Sequence, residues 1–280
     1  MITSIIFSKD RPLQLDLCLG SIEKNFPDSN NNIVIHNSSE EFKPSYGVVK
    51  SEHPNAQLWL QGASLFGDVY TAIAASENEY ICFFTDDIIC YRPVVNIDYN
   101  IFSDPEVSCV SLRMGVNITE RFCEGELYTD VPPQAFALND NMIIWCRTNN
   151  LYGSYWSYNL SVDGHIFRKN DLLEMMGELV YMQPIKKWKQ TPNELESALQ
   201  RFWTISPNMI AAPKHSAVVN SPNNRVQDTC HNRSGDTHNY EAEYLLGKYI
   251  SGARANLEYL DFGNIKCPHT EIDILKGITT

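Results

Sequence analysis

Asp86 and Asp87 stand side by side directly after Tyr80-Ile81-Cys82-Phe83-Phe84, an apolar run that reads as a buried strand. Adjacent carboxylates repel each other and are costly to take out of water. A divalent cation relieves both costs. Hard oxygen donors suit Mg2+ or Mn2+, which commonly take one or two carboxylates together with substrate phosphates. Alone, the pair reads first as a cap beside a solvated carboxylate, and the buried strand before it reverses that preference.

Three further groups have chemistry-bearing types. Ser8-Lys9-Asp10-Arg11 ends another apolar run, and cations at a strand-to-helix turn can hold an anion or a nucleotide. Taken alone, it reads first as a capped helix with solvated charges. Asp163-Gly164-His165 follows an aromatic stretch with Tyr152, Tyr155, Trp156 and Tyr158. A carboxylate there can act as general base beside rings that stack on a sugar, with His165 as a competing base or as a partner that orients Asp163. Asp-Gly by itself reads first as an Asx turn. His215 is the third group, although a lone histidine is more often structural than a ligand, and His231 and His238 compete with it. Arg113 follows the strand-like Val107–Leu112 and can neutralise phosphate charge or form a surface ion pair.

The first half alternates strand and helix patterns. Thr3–Ser8 reads as a strand, Asp10 as an N-cap and Pro12 as a first helical residue. Leu15, Cys18, Leu19, Ile22 and Phe26 recur at helical spacing. Ile33–His36 is expected as a second strand, Gly47–Lys50 as a third, and Leu65–Ala75 as a helix before Tyr80–Phe84. This order predicts a mainly parallel, right-handed sheet with ligands at the carboxyl ends of its strands. Residues 8–11 and 85–87 both fall at that edge. Farther on, Asp171 with Glu174 and Asn193 with Glu196 read as capping signals. Asn220–Asn239 reads as polar loop, and Tyr240–Ile250 reads as helix.

The 280 residues allow one large domain or two small ones. With 22 basic and 34 acidic residues, the net charge of −12 argues against a duplex-binding face or a polybasic membrane patch. No stretch is long and apolar enough to span a bilayer, and the start reads as a strand and not as a signal peptide. Eight cysteines are dispersed without a Cys-x-x-Cys pair, so they read as reduced, mostly buried thiols of a cytoplasmic protein.

Together these segments resemble the GT-A nucleotide-sugar glycosyltransferases over residues 3–220. Ile5-Ile6-Phe7-Ser8-Lys9-Asp10-Arg11-Pro12 is similar to that superfamily's first strand and nucleotide-binding turn. Phe83-Phe84-Thr85-Asp86-Asp87 is similar to its Asp-x-Asp (DXD) motif, with Thr85 in place of the first aspartate. Ser111–Gly115, Val162–Ile166 and Asn193–Glu196 resemble segments of a less-studied branch. The resemblance implies an α/β GT-A (Rossmann-like) fold with a central, mainly parallel sheet flanked by helices and an irregular C-terminal acceptor-side part. It implies a catalytic domain at 1–220, nucleotide-sugar-binding over 1–115 and acceptor-binding over 116–220, with a loop and helix extension at 221–280. It further implies that Ser8, Lys9, Arg11, Asp86 and Arg113 bind the nucleotide-sugar, UDP being the superfamily's commonest nucleotide. Asp87 and His215 would hold Mn2+ or Mg2+. Asp163 would be the base of an inverting transfer to an acceptor hydroxyl, on a glycan or, less readily, a modified nucleic-acid base. Retention is the alternative outcome. A nucleotidyltransferase would share the sheet, acids and metal but usually shows a Gly-rich phosphate loop, and residues 8–12 contain no glycine. A non-catalytic carbohydrate- or nucleotide-binding module would not need Asp86-Asp87 and Asp163 together.

Overall fold

The computed structural model describes residues 1–123, 126–134, 136–147, 153–158, 160–182, 188–203, 207–226, 234–235, 237–238 and 240–279. The first half runs β1 (Ile2–Lys9), α1 (Pro12–Asn25), β2 (Ser29–Asn37), α2 (Lys43–Glu52), β3 (Ala56–Leu60), α3 (Leu65–Ala75), β4 (Tyr80–Thr85), β5 (Ile88–Cys90) and β6 (Val107–Ser111). The second half adds β7 (Glu120–Cys123), β8 (Glu126–Thr129), β9 (Phe136–Ala137), β10 (Met142–Cys146) and β11 (His165–Arg168). It continues with α4 (Lys169–Met182), α5 (Pro192–Leu199), β12 (Met209–Pro213), β13 (Val218–Asn220), α6 (Ala242–Ile250), β14 (Arg254–Ala255) and β15 (Ile278–Thr279).

A nine-stranded sheet has the order β3-β2-β1-β4-β11-β6-β12-β10-β9. β11 and β10 run against the other strands, so the sheet is mainly parallel as expected. Sequential βαβ units built on right-handed crossovers put α1 and α2 on one face and α3 on the other. α6 joins α1 and α2, while α3 packs on α4 and α4 on α5. β1 and β4 are central and covered on both faces, which is why they read as continuous apolar runs. Ile5, Ile6, Ile81, Phe83 and Phe84 have no exposed surface.

Several local expectations shift. Gly47–Lys50 lies inside α2, where Pro44 starts the helix and Tyr46 and Val49, three apart, bury one side. The third strand is β3. Arg11 occupies the cap position of α1 without a side-chain capping bond. Asp10 instead has φ 51°, in the left-handed region, and its Oδ1 accepts the Ser39 N–H at 2.7 Å. α4 begins at Lys169, ahead of Asp171, whose carboxylate accepts Arg168 Nε at 2.7 Å. Thr191 caps α5 through the Glu194 N–H, with Pro192 in the first turn, which leaves Glu196 available elsewhere.

The C-terminal part is tied to the first half. Arg254 pairs with Glu52 at 2.7 Å, and the Tyr249 hydroxyl donates to Glu52 at 2.9 Å. Beneath them, both ring nitrogens of His53 lie 3.0 Å from carboxylates of α1, those of Asp16 and Glu23. Burial lowers the His53 imidazole, but its Asp16 and Glu23 partners outweigh that and raise it, favouring the doubly donating form. The described cysteines form no disulfide with one another, and five of them are buried; Cys230 lies outside the described residues. Among the described residues, no helix is long and apolar enough to cross a membrane.

Candidate active site

Strand register assembles the acidic edge. β1 and β4 pair in parallel with Phe7 opposite Thr85, so Ser8 and Asp86 emerge together at their carboxyl ends. The Asp86 N–H donates to the Phe7 carbonyl at 2.9 Å and holds that turn against β1. Asp86 is 3% exposed. Its Oδ2 accepts the Ser8 hydroxyl at 2.9 Å and the Lys9 N–H at 3.1 Å, and its Oδ1 accepts Arg11 Nη1 at 3.0 Å. The same Nη1 donates to Asp87 Oδ2 at 2.9 Å. One guanidinium therefore answers the repulsion between the two acids. The rest of Arg11 is held by Asn224, whose side-chain oxygen accepts Nε at 2.7 Å and whose carbonyl accepts Nη2. Burial pushes the Asp86 carboxyl up to about 6, with the Asp87 charge adding to the rise and Arg11 opposing it.

The second wall comes from the antiparallel strand. His165 of β11 pairs with Phe83, and the Gly164 N–H donates to the Phe83 carbonyl at 2.7 Å, so Asp163 falls level with Thr85. Gly164 has φ +75°, and a Cβ there would lie 2.7 Å from Val218 Cγ2, so backbone and space both require glycine. Thr85 donates to Asp87 Oδ1 at 2.8 Å and to Asp163 Oδ1 at 3.0 Å, as alternatives of one hydroxyl. Asp163 Oδ2 lies 3.4 Å from both Arg113 Nη1 and His269 Nε2. Burial pushes the Asp163 carboxyl up, but His269, Arg113 and the Thr85 hydroxyl outweigh it and hold it at about 2.

Of the residues expected from sequence, the structure thus joins Ser8, Arg11, Asp86 and Asp87 in one cluster and Asp163 with Arg113 in a second, with Thr85 between them. Lys9 is exposed at the rim, its Nζ donating to the Val226 carbonyl at 3.0 Å. His215 is exposed at the turn between β12 and β13, five residues before Asn220, and is not brought to the acids. His238 lies on the Glu271 carboxylate through its backbone N–H, and His231 is outside the described residues, as is Tyr152. His165 is fully buried in the sheet, 2.8 Å from the Ser111 hydroxyl, with no surface to offer an acceptor. Trp156 is likewise core, edge-on to Trp145. Tyr155 and Tyr158 instead flank Arg113, their ring centroids 5.3 and 5.5 Å from its Cζ.

Residues given no site role from the sequence complete the site. Antiparallel pairing of β13 with β5 sets Asn220 opposite Ile88, and its Nδ2 donates to Asp87 Oδ1 at 2.9 Å. His269 reaches Asp163 from the far end of the chain, its Nδ1 at 3.0 Å from the Tyr155 hydroxyl. Glu196 of α5 accepts the Val162 N–H at 3.0 Å and lies in the field of Asp163 and Arg113; burial raises its carboxyl. Asn220, Asn224 and His269 carried only an asparagine-rich stretch and one of seven histidines as signal.

The donor set can be tested for a divalent cation. Asp87 receives two hydrogen bonds on Oδ1 and one on Oδ2. A carboxylate has about four acceptor positions, so one remains. Among the described residues no three His, Cys, Asp or Glu side chains form a ready cage. This set fits a cation that arrives with phosphate oxygens and takes one carboxylate from the protein, the usual habit of Mg2+.

No protein-family model matches the chain. It is similar to the bifunctional glycosyltransferase pgtA of Dictyostelium discoideum, 24% identical over 252 residues, covering 81% of this chain and 32% of that protein. The chain therefore spans about a third of the length of this curated relative. Among solved structures, S. aureus TarS 1–349 in complex with UDP matches with TM-score 0.46 and 16% identity over 79% of this chain and 61% of that one. The mannosyltransferase PcManGT from Pyrobaculum calidifontis, in complex with GDP-Man and Mn2+, matches with TM-score 0.30 and 16% identity over 45% and 43%. These two structural likenesses are too distant to carry an argument about the site. The curated similarity, over most of this chain, is thus to a glycosyltransferase, and the mainly parallel sheet carries Asp86-Asp87 at the end of β4.

Proposed function

We propose that the chain transfers a sugar from a nucleoside-diphosphate donor, UDP being the first nucleotide to test, to an acceptor hydroxyl, with inversion. The observation that carries this reading is that Asp87 and Asp163 share the Thr85 hydroxyl while Asp86 and Asp87 share Arg11, at the carboxyl ends of β1 and β4 and the amino end of β11. Lys9 and Ser8 lie where a nucleotide would meet the turn after β1. Arg11 is fully engaged by Asp86, Asp87 and Asn224, which supports a positioning role for it and leaves direct phosphate contact to Lys9. Asp86 would accept a ribose or sugar hydroxyl. Asp87 would be the protein's ligand to Mn2+ or Mg2+, which when bound supplies charge to offset the departing diphosphate. Asp163 would take the acceptor proton.

One observation favours a second assignment of the base. A carboxylate held at about 2 is a weak proton acceptor, whereas burial raises the Glu196 carboxyl and makes it the stronger acceptor of the two. In that arrangement Asp163 orients the acceptor and Glu196 receives the proton.

Calorimetric titration tests the binding half of this reading. Mn2+ alone is expected to give no saturable binding, and UDP or GDP to bind at least about tenfold more tightly with Mn2+ than without it. Affinity for the nucleotide is expected to fall as pH drops through about 6, because protonation removes Asp86 as an acceptor. Tight binding of Mn2+ without nucleotide, or no binding of either nucleotide, contradicts the assignment.

A further inference from the structure

The wall facing Asp163 has an unusual balance of charge. Two carboxylates, Asp163 and Glu196, approach one guanidinium, Arg113. Arg113 is 3% exposed, and Tyr155 and Tyr158 lie across it. The Glu196 carboxylate also takes hydrogen bonds from Ser161 and the Val162 N–H. A neutral His269 imidazole can donate Nε2–H to Asp163 and accept the Tyr155 hydroxyl at Nδ1. With both acids ionised and His269 neutral, the wall carries two negative charges against the one of Arg113.

A second observation points to a ligand. Arg113 Nε is buried and has no hydrogen-bond partner among the described residues. A buried donor left unpaired costs about 1–3 kcal/mol, and such groups in native proteins call for an explanation. A neutral oxygen, from a hydroxyl or an amide carbonyl, would satisfy that N–H without adding charge. A carboxylate would meet two like charges and no unpaired cation, and like-charge juxtaposition is strongly unfavourable where water is excluded.

We propose that this wall selects a neutral transferred sugar, with Arg113 Nε as the donor that reads one of its oxygens, and that Asp163 and Glu196 exclude uronic and other acidic sugars. The proposal rests on the reading of the chain as a nucleotide-sugar glycosyltransferase. It assigns the subsite's preference from charge balance and does not depend on which acid is the base. The proposal requires the Tyr155 and Tyr158 rings that cover the guanidinium to move aside for the sugar oxygen.

Calorimetry with matched donors in the presence of Mn2+ separates this proposal from the reading beneath it. The probes are UDP and GDP alone, then UDP-glucose against UDP-glucuronate and GDP-mannose against GDP-mannuronate, each pair differing only by oxidation at C6. Binding needs no turnover, so a variant inactive in catalysis is still informative. The nucleoside diphosphate of the working pair is expected to bind. The neutral sugar should bind at least as well, and the uronate about tenfold or more weakly. Glu196→Gln should close that gap several-fold, and Asp163→Asn serves the same purpose if the first variant does not fold. A uronate that binds as tightly as its neutral twin overturns the proposal, as does a gap that neither variant changes. Failure of both nucleoside diphosphates to bind removes the transferase reading, and the proposal falls with it.

Discussion

Arg11→Ala is expected to lower the free energy of unfolding by about 3–5 kcal/mol, the usual cost of removing one partner from a buried ion pair. Arg11 is 7% exposed, and its guanidinium is the cation shared by Asp86 and Asp87 at 3.0 and 2.9 Å. Without it, two adjacent carboxylates remain with only hydroxyl and amide donors, and Asn224 loses the partner that fastens the C-terminal segment to the turn after β1. The pH dependence gives the mechanism away. Asp86 already sits above its unfolded value, at about 6, so between roughly pH 4 and 6 the folded state holds more protons than the unfolded one. Stability from this group therefore falls as pH rises through that window. Loss of Arg11 widens the window upward, so Arg11→Ala should be relatively more stable at pH 5 than at pH 7.5. Arg11→Ala combined with Asp86→Asn should recover part of the loss. Urea denaturation at the two pH values measures all of this. A loss below about 1 kcal/mol, typical of an exposed pair, would show that Arg11 does not carry the charge of the two acids.

Removing the general base is expected to reduce kcat/KM by about 10²–10⁴-fold. The two candidates, Asp163 and Glu196, are separated by comparing Asp163→Asn with Glu196→Gln across pH. If Asp163 is the base, its carboxyl at about 2 is ionised at every pH the fold tolerates. The wild-type profile then shows no acid limb from this group, and Asp163→Asn carries the full loss. If Glu196 is the base, the profile has an acid limb, displaced upward from the ordinary glutamate range by burial. Glu196→Gln would then abolish that limb together with the activity. In this second case Asp163→Asn should raise KM more than it lowers kcat. Equal, small effects of both variants on kcat/KM would remove both residues from the proton-transfer role.

The parts of this site that were legible in the sequence are the ones fixed by short-range pattern. β1 and β4 are buried on both faces and announce themselves as apolar runs, so the polar residues that end them, Ser8 to Arg11 and Thr85 to Asp87, fall at the ligand edge by topology alone. Asp163 was legible as a carboxylate in a Gly-containing turn that follows an aromatic stretch. Gly47–Lys50 misled because a helix with one buried side and a short strand look alike over four residues, whereas Pro44 and the Tyr46 and Val49 spacing decide it. Asn220, Asn224 and His269 were not legible, since their placement depends on long-range pairing. Asn220 reaches Asp87 only because β13 lies antiparallel to β5, and His269 follows through a parallel bridge to Asn220. The resemblance pointed to His215 as a metal ligand, and the histidine beside Asp163 is 54 residues farther on. Polar stretches carry no periodicity from which such a return could be read.

The central claim is that Asp86 and Asp87 serve a nucleotide-sugar and not only the fold. The most direct measurement is the release of nucleoside diphosphate from a panel of UDP- and GDP-sugars, with Mn2+ and with chelator, by the wild-type chain and by Asp87→Ala of unchanged thermal stability. The expected result is slow release from one donor class in the presence of Mn2+, lost with chelator and lost in Asp87→Ala. Release by the variant at the wild-type rate, or no release from any donor at saturating metal, would contradict the claim and leave Asp86-Asp87 as a structural pair held by Arg11.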